Sequence, residues 1–126
     1  MSDLSGEWRA PGLREVEDPV YRALMDGEIE TFNRLVEQID FFDLSHSNLV
    51  AVDFRGVRDI RKLRLSGARL RQADLRGLDL SENDLEGVTI NGARISGTRF
   101  PSTISASEIR LAIEHGTRLR HDRRTD

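Results

Sequence analysis

The sequence predicts an all-β solenoid over residues 41–100, with short α-helices at both of its ends. Large apolar residues recur there every five positions, glycines recur at the same interval, and helix start and stop signals flank the region. A period of five fits neither the 3.6 residues of a helical turn nor the two-residue alternation of a strand. The chain must therefore turn at regular intervals.

The five-residue spacing is unbroken from Ile60 to Phe100. It is carried by Ile60, Leu65, Leu70, Leu75, Leu80, Leu85, Ile90, Ile95 and Phe100. The residue two positions earlier is mostly apolar or small, and the residue two positions later is often glycine, which suits a tight corner. Two residues in five are therefore expected to point inward, with a corner after them.

One irregularity interrupts the upstream part of this pattern. Leu44, Leu49 and Phe54 keep the spacing of five, but Ile60 follows Phe54 by six positions. One residue is therefore inserted near Val57–Asp59. We expect it to form a bulge at a corner, with both flanks in register.

The repeat resembles the pentapeptide-repeat family, whose motif reads roughly A-(D/N)-L-x-x. Ala73-Asp74-Leu75-Arg76-Gly77 fits the motif fully, and Asn83-Asp84-Leu85 fits it in part. The resemblance implies a right-handed quadrilateral β-helix with four pentapeptides per coil, so that twelve repeats make about three coils. The implied interior ladders are Leu44/Leu65/Leu85, Leu49/Leu70/Ile90, Phe54/Leu75/Ile95 and Ile60/Leu80/Phe100. A leucine-rich repeat is the competing fold, but its pattern matches only once, from Leu75 to Leu85.

The flanking segments carry helix signals that predict a covering element at each end of the solenoid. Asp18 precedes a proline at a helix start, and Gly27 ends that helix. Ser105 with Glu108 predicts a capping box, and Gly116 a C-terminal cap. The predicted organisation is a flexible arm at 1–17, a helical cap at 18–40, the repeats at 41–100, a second helical cap at 104–116 and a flexible tail at 117–126.

The residues that usually carry chemistry are sparse. The chain has no cysteine, and His46, His115 and His121 lack the spacing of a metal site. No phosphate-binding glycine loop or nucleophile elbow is present. We therefore assign no catalytic, cofactor-binding or metal-ligating residue, and no enzyme activity. No apolar run reaches the ~20 residues of a membrane span and no secretory signal is visible, so a cytoplasmic protein is expected.

Charge suggests a binding surface. The chain's net charge is −3, yet the repeat region is slightly basic, with arginines and a lysine around the insertion. The candidate protein-binding surface, called here the basic cluster, comprises Arg55, Arg58, Arg61, Lys62 and Arg76. Guanidinium groups at such a site would favour an acidic partner.

The leading functional hypothesis is a non-enzymatic intracellular protein–protein interaction module, an adaptor or a regulator. The family resemblance suggests an alternative, modulation of a type II topoisomerase such as gyrase. Three coils at ~4.8 Å spacing are short for a DNA-sized mimic, and the repeat region is not acidic. A small hydrolase is a second alternative, without a supporting triad. No membrane partner is expected, nor direct nucleic-acid binding at a pI of 5.6. An open solenoid end would allow a homodimer.

Overall fold

The computed structural model describes residues 18–123; the predicted flexible arm at 1–17 and the final three residues lie outside this range. The helices are α1 (Pro19–Met25), α2 (Ile29–Val36) and α3 (Ala106–His115). Between them lie β1 (Phe42–Asp43), a 3₁₀ turn (Ile60–Lys62) and β2 (Leu63–Arg64). Among residues 18–123, no helix is long and apolar enough to cross a membrane.

Parallel pairing joins chain segments that lie 20 or 21 residues apart. β1 pairs with β2 through Phe42 and Leu63, and Asp53 pairs with Asp74, both at an offset of 21. Asp74 in turn pairs with Arg94 at an offset of 20. The extra residue therefore lies between Asp53 and Leu63, as the sequence predicts, and both flanks remain in register.

The core follows the five-residue pattern. Both inward positions of each repeat are buried from Phe42 to Ile90, with Val57 beside the insertion only half-buried. The central buried residues are Leu44, Leu49, Phe54, Ile60, Leu65, Leu70, Leu75, Leu80, Leu85 and Ile90. Ile95 and Phe100, predicted as interior, are only half-buried. They belong to the last segment of the stack, where one side of each side chain lacks a neighbouring ladder residue.

The corners explain the periodic glycines. Six repeats place a glycine with positive φ two residues after the central position, Gly67 among them. At Gly67 a Cβ atom would lie 2.3 Å from the His46 ring, so a side chain is excluded there by space as well. His46, Ala51 and Gln72 occupy equivalent corners with φ of 60–65°. Because left-handed backbone costs a non-glycine residue about 1–2 kcal/mol, stacking of the ladders must offset that strain.

Helices α1 and α2 cover the N-terminal end of the stack. Asp18 caps α1, since its Oδ1 accepts from Val20 N at 2.9 Å. Phe32 and Val36 of α2 are buried in the same core as the repeats. Burying their side chains contributes about 1.5–3 kcal/mol each relative to exposure.

Helix α3 starts at its predicted cap but without the predicted capping box. Ser105 Oγ accepts from Glu108 N at 3.1 Å, and Gly116 ends the helix in left-handed geometry. The Glu108 carboxylate does not complete the box, because it accepts from Arg120 Nε at 3.1 Å. The reciprocal half of the predicted motif is therefore wrong.

The prediction of a flexible tail from residue 117 is also wrong for 117–122. Leu119 is fully buried, and its backbone exchanges hydrogen bonds of 2.8 Å with Gly87 and Val88. Asp122 N donates to Thr103 O at 2.7 Å. This segment covers the strand edge that residues 87 and 88 would otherwise expose.

His121 anchors the same C-terminal segment. Its Nε2 accepts from Leu85 N at 3.0 Å, and its Nδ1 faces Thr103 Oγ1. This arrangement requires neutral imidazole with the proton on Nδ1. Burial lowers the pKa of His121, as does the charge of Arg123, while Asp84 and Glu86 act in the opposite direction.

Candidate functional site

The cations of the basic cluster contact neighbouring carboxylates or, for Lys62, backbone carbonyls. Arg55 contacts Asp53 at 2.9 Å and Asp74 at 3.2 Å, while Arg76 contacts Asp74 at 2.7 Å. Asp74 therefore lies between two guanidinium groups from adjacent stacked segments. The hydrogen bond from Arg76 lowers the pKa of Asp74 to about 2, and Arg55 lowers the pKa of Asp53. Both carboxylates are ionised at neutral pH.

Two other members of the cluster attach α2 to the repeats. Arg58 contacts Glu30 at 3.0 Å and Glu37 at 3.1 Å. Lys62 Nζ donates to Val36 O at 3.1 Å and to Ile39 O at 2.9 Å, and so satisfies carbonyls at the C-terminal end of α2. Both cations therefore have a structural role.

Two buried asparagines hold the inserted segment. Asn33 of α2 donates from Nδ2 to Gly56 O at 2.9 Å, and its Oδ1 accepts from Arg58 N at 3.0 Å. On the other side, Asn83 Nδ2 donates to Ile60 O and Leu63 O, both at 3.0 Å. The amide of Asn83 satisfies carbonyls around the 3₁₀ turn, where an apolar side chain could not. The bulge is thus the point at which α2 is fastened.

Each of the five predicted site residues consequently has an internal partner; the fifth, Arg61, contacts Asp59 at 3.4 Å. The structure brings Arg55 together with Arg76 through Asp74, and Arg58 together with Lys62 through α2. An acidic partner binding here would have to compete with these contacts.

A different group of cations faces an open cleft of about 520 Å³ on a neighbouring face, called here the Arg69 cleft. Its polar lining consists of Asn48, Arg69, Arg71, Thr89, Asn91 and His115. No carboxylate from residues 18–123 lines it. Within residues 18–123, Arg69 and Arg71 take part in no ion pair, in contrast to the basic cluster.

Two smaller clefts have mixed charge. One, of about 360 Å³, is lined by Arg61 and Arg64 together with Glu82 and Asp84. The other, of about 410 Å³, is lined by Arg58 and Arg61 together with Asp59, Asp79 and Glu82. Neither presents a surface of a single charge sign.

The sequence contains a signal for the Arg69 cleft that charge counting misses. In two neighbouring repeats an aspartate fills the polar slot and pairs with the arginine two positions later: Asp53 with Arg55, and Asp74 with Arg76. In the repeat at 68–72 that slot holds Arg69, so Arg71 has no such partner. Two cations therefore stand where the neighbouring repeats have an internal ion pair.

Comparison with known proteins bears on the repeat region. A family model described as pentapeptide repeats matches residues 64–100, with eight copies. Neither the curated proteins nor the solved structures yield a match. Residues 42–53 lie outside the matched range but stack in parallel on residues 63–74. Residues 64–100 of this chain are therefore pentapeptide repeats, a sequence type that forms β-helical solenoids in general, and the resemblance inferred from the motif is confirmed.

Proposed function

We propose that the chain is a non-enzymatic protein-interaction module, an adaptor or a regulator, built on a right-handed four-sided β-helix of about three coils. The pairing offsets of 20 and 21 residues support four pentapeptides per coil. The helices α1, α2 and α3 would act as its caps. The proposed location is the cytoplasm.

The single observation that carries the proposal is the regular outer grid of side chains. In the repeats from 42 to 91 the two residues that flank the buried central residue are exposed or half-buried, and backbone bridges join stacked segments, as Asn48 pairs with Arg69 and Arg69 with Thr89. A fixed backbone presents these side chains at constant spacing. Binding to such a surface costs little backbone ordering, which favours recognition of another macromolecule.

Exposed side chains on this scaffold are of the types that dominate protein interfaces. Phe41 is 46% exposed, and the guanidinium of Arg64 lies 3.7 Å from the centre of its ring. Aromatic and arginine side chains are enriched among binding hot spots, which supports a protein as the partner.

The test is capture of a partner by the immobilised chain from native lysate, followed by titration of the purified partner. The matched variant replaces Arg69, Arg71, Arg94 and Arg99 with glutamine, which alters the outward grid and keeps every ladder residue. We expect saturable binding to wild type and at least tenfold weaker binding to the variant. The absence of any saturable partner would contradict a role for this grid in binding. A partner that binds wild type and the variant equally would contradict it as well.

A further inference from the structure

The Arg69 cleft concentrates positive charge in a chain that is acidic overall. Arg69 and Arg71 flank Leu70, which is buried, and both are exposed. The stacked positions on either side are neutral: Asn48 and Thr89 pair with Arg69 in the backbone. Asn48 therefore supplies an amide to the cleft, whereas the Thr89 hydroxyl is buried; among residues 18–123 no carboxylate competes there.

The two arginines of the cleft can bind a single anionic group together. Arg69 lies at a backbone bridge and Arg71 begins the following turn, and both line the same cleft. Two guanidinium groups that line one cleft can converge on one oxyanion. Guanidinium forks bind carboxylates and phosphates through paired hydrogen bonds.

The end of α3 closes one rim of the cleft. Gly116 lies close to Asn91, since a Cβ on that glycine would meet Asn91 Cγ at 3.4 Å. The C-terminal helix end carries roughly half a negative charge, which opposes an anion. Two full positive charges outweigh it, and the imidazole of His115 adds a hydrogen-bonding group beside the helix end.

We infer that the Arg69 cleft binds the phosphate group of a phosphorylated side chain in a protein partner. A phosphate monoester carries about −1.5 to −2 charges and three acceptor oxygens at neutral pH, enough to satisfy both guanidinium groups at once. A single carboxylate offers two oxygens and one charge. The open cleft leaves room for the peptide that bears the phosphate, and Asn48 and Asn91 can donate to or accept from its backbone. The inference rests on the proposed interaction function, because the protein partner carries the phosphate.

The experiment titrates the full chain with N-acetyl-phosphoserine amide while NMR follows the arginine Nε–H resonances. We expect saturable shifts at Arg69 and Arg71, at least tenfold weaker binding to the Arg69→Gln, Arg71→Gln variant, and less than a twofold change in the control Arg94→Gln, Arg110→Gln. The control removes two exposed arginines that line no part of the cleft and have no ion pair within residues 18–123.

Three parallel ligands identify the group that is bound. N-acetyl-serine amide should not bind, N-acetyl-glutamate amide should bind at least fivefold more weakly, and inorganic phosphate should bind more weakly than the phosphoserine compound. Equal binding of the glutamate compound or of inorganic phosphate would overturn the inference, as would absence of saturable shifts. A partner whose capture is unaffected by phosphatase treatment would overturn the cleft inference while leaving the interaction function intact. Binding of the phosphoserine compound without any captured partner would contradict the interaction function and leave phosphate binding at the cleft intact.

Discussion

Asn33 offers the most direct test of how the N-terminal helices are held. Its side chain lies among the buried residues of α2, and both ends of its amide are used: Nδ2 donates to Gly56 O and Oδ1 accepts from Arg58 N. Replacement by alanine removes both hydrogen bonds and leaves a carbonyl and an amide of the inserted segment without these partners.

The expected cost follows from these two contacts. A net intramolecular hydrogen bond contributes about 0.5–1.5 kcal/mol, so two contribute about 1–3 kcal/mol to the free energy of unfolding. Arg58 makes two ion pairs to the same helix, but its side chain is 58% exposed and those of Glu30 and Glu37 are 78% and 60% exposed. Exposed pairs contribute about 0–1 kcal/mol. Asn33→Ala should therefore destabilise the protein more than Arg58→Ala.

Chemical denaturation of wild type and the two variants measures this difference. Hydrogen exchange at Phe32 and Val36 locates it, because loosening of α2 should speed exchange there more than at Leu75. The reasoning would be refuted if Asn33→Ala cost less than 0.5 kcal/mol, or if Arg58→Ala proved the more destabilising change. Either outcome would mean that surface charge, and not the buried amide, holds α2.

Three further predictions concern the core and the acid response. Leu75→Ala and Leu80→Ala should each lower the free energy of unfolding by about 2–5 kcal/mol, because each leaves a cavity in a ladder; melting within a degree or two of wild type would disprove the inward assignment. Asp74 has a lowered pKa, so its contribution to stability is complete above the unfolded value of 3.8 and disappears as pH falls through about 2. Urea unfolding should show a smaller difference in the free energy of unfolding between wild type and Asp74→Asn at pH 2 than at pH 5. His121 has a lowered pKa and must be neutral to accept from Leu85 N, so the stability of the C-terminal segment should be complete above pH 6.5 and fall as pH drops below it. Hydrogen exchange at Leu119 from pH 7.5 to 5 measures this, and a pH dependence unchanged in His121→Leu would contradict it.

The features that sequence predicted well depend on local chemistry. The five-residue spacing gave the buried ladders because each repeat buries the same two positions, and the corner glycines lie where φ must be positive. Asp18, Ser105 and Gly116 mark helix ends because capping involves residues only a few positions apart. Such signals are readable without knowledge of the rest of the chain.

The corrections at Glu108 and at residues 117–122 involve contacts between distant parts of the chain. Glu108 fits a capping box by spacing, yet it pairs with Arg120, which folding brings beside it. Leu119 lies in a polar stretch that is typical of a tail, but its backbone forms hydrogen bonds with Gly87 and Val88 at an edge that would otherwise be unpaired. Sequence spacing holds no information about which strand edge remains uncovered.

The sequence by itself determined the repeat, its inserted residue, the buried ladder residues up to Ile90 and the helix caps Asp18, Ser105 and Gly116. Only the tertiary structure decided which cations are available for binding. Arg55 and Arg58 are paired because folding places Asp74 and α2 beside them, whereas Arg69 and Arg71 face a cleft to which the described part of the chain contributes no carboxylate. Whether a charge is neutralised depends on neighbours within about 4 Å, and for Arg58 both acidic neighbours are more than twenty residues away in the chain.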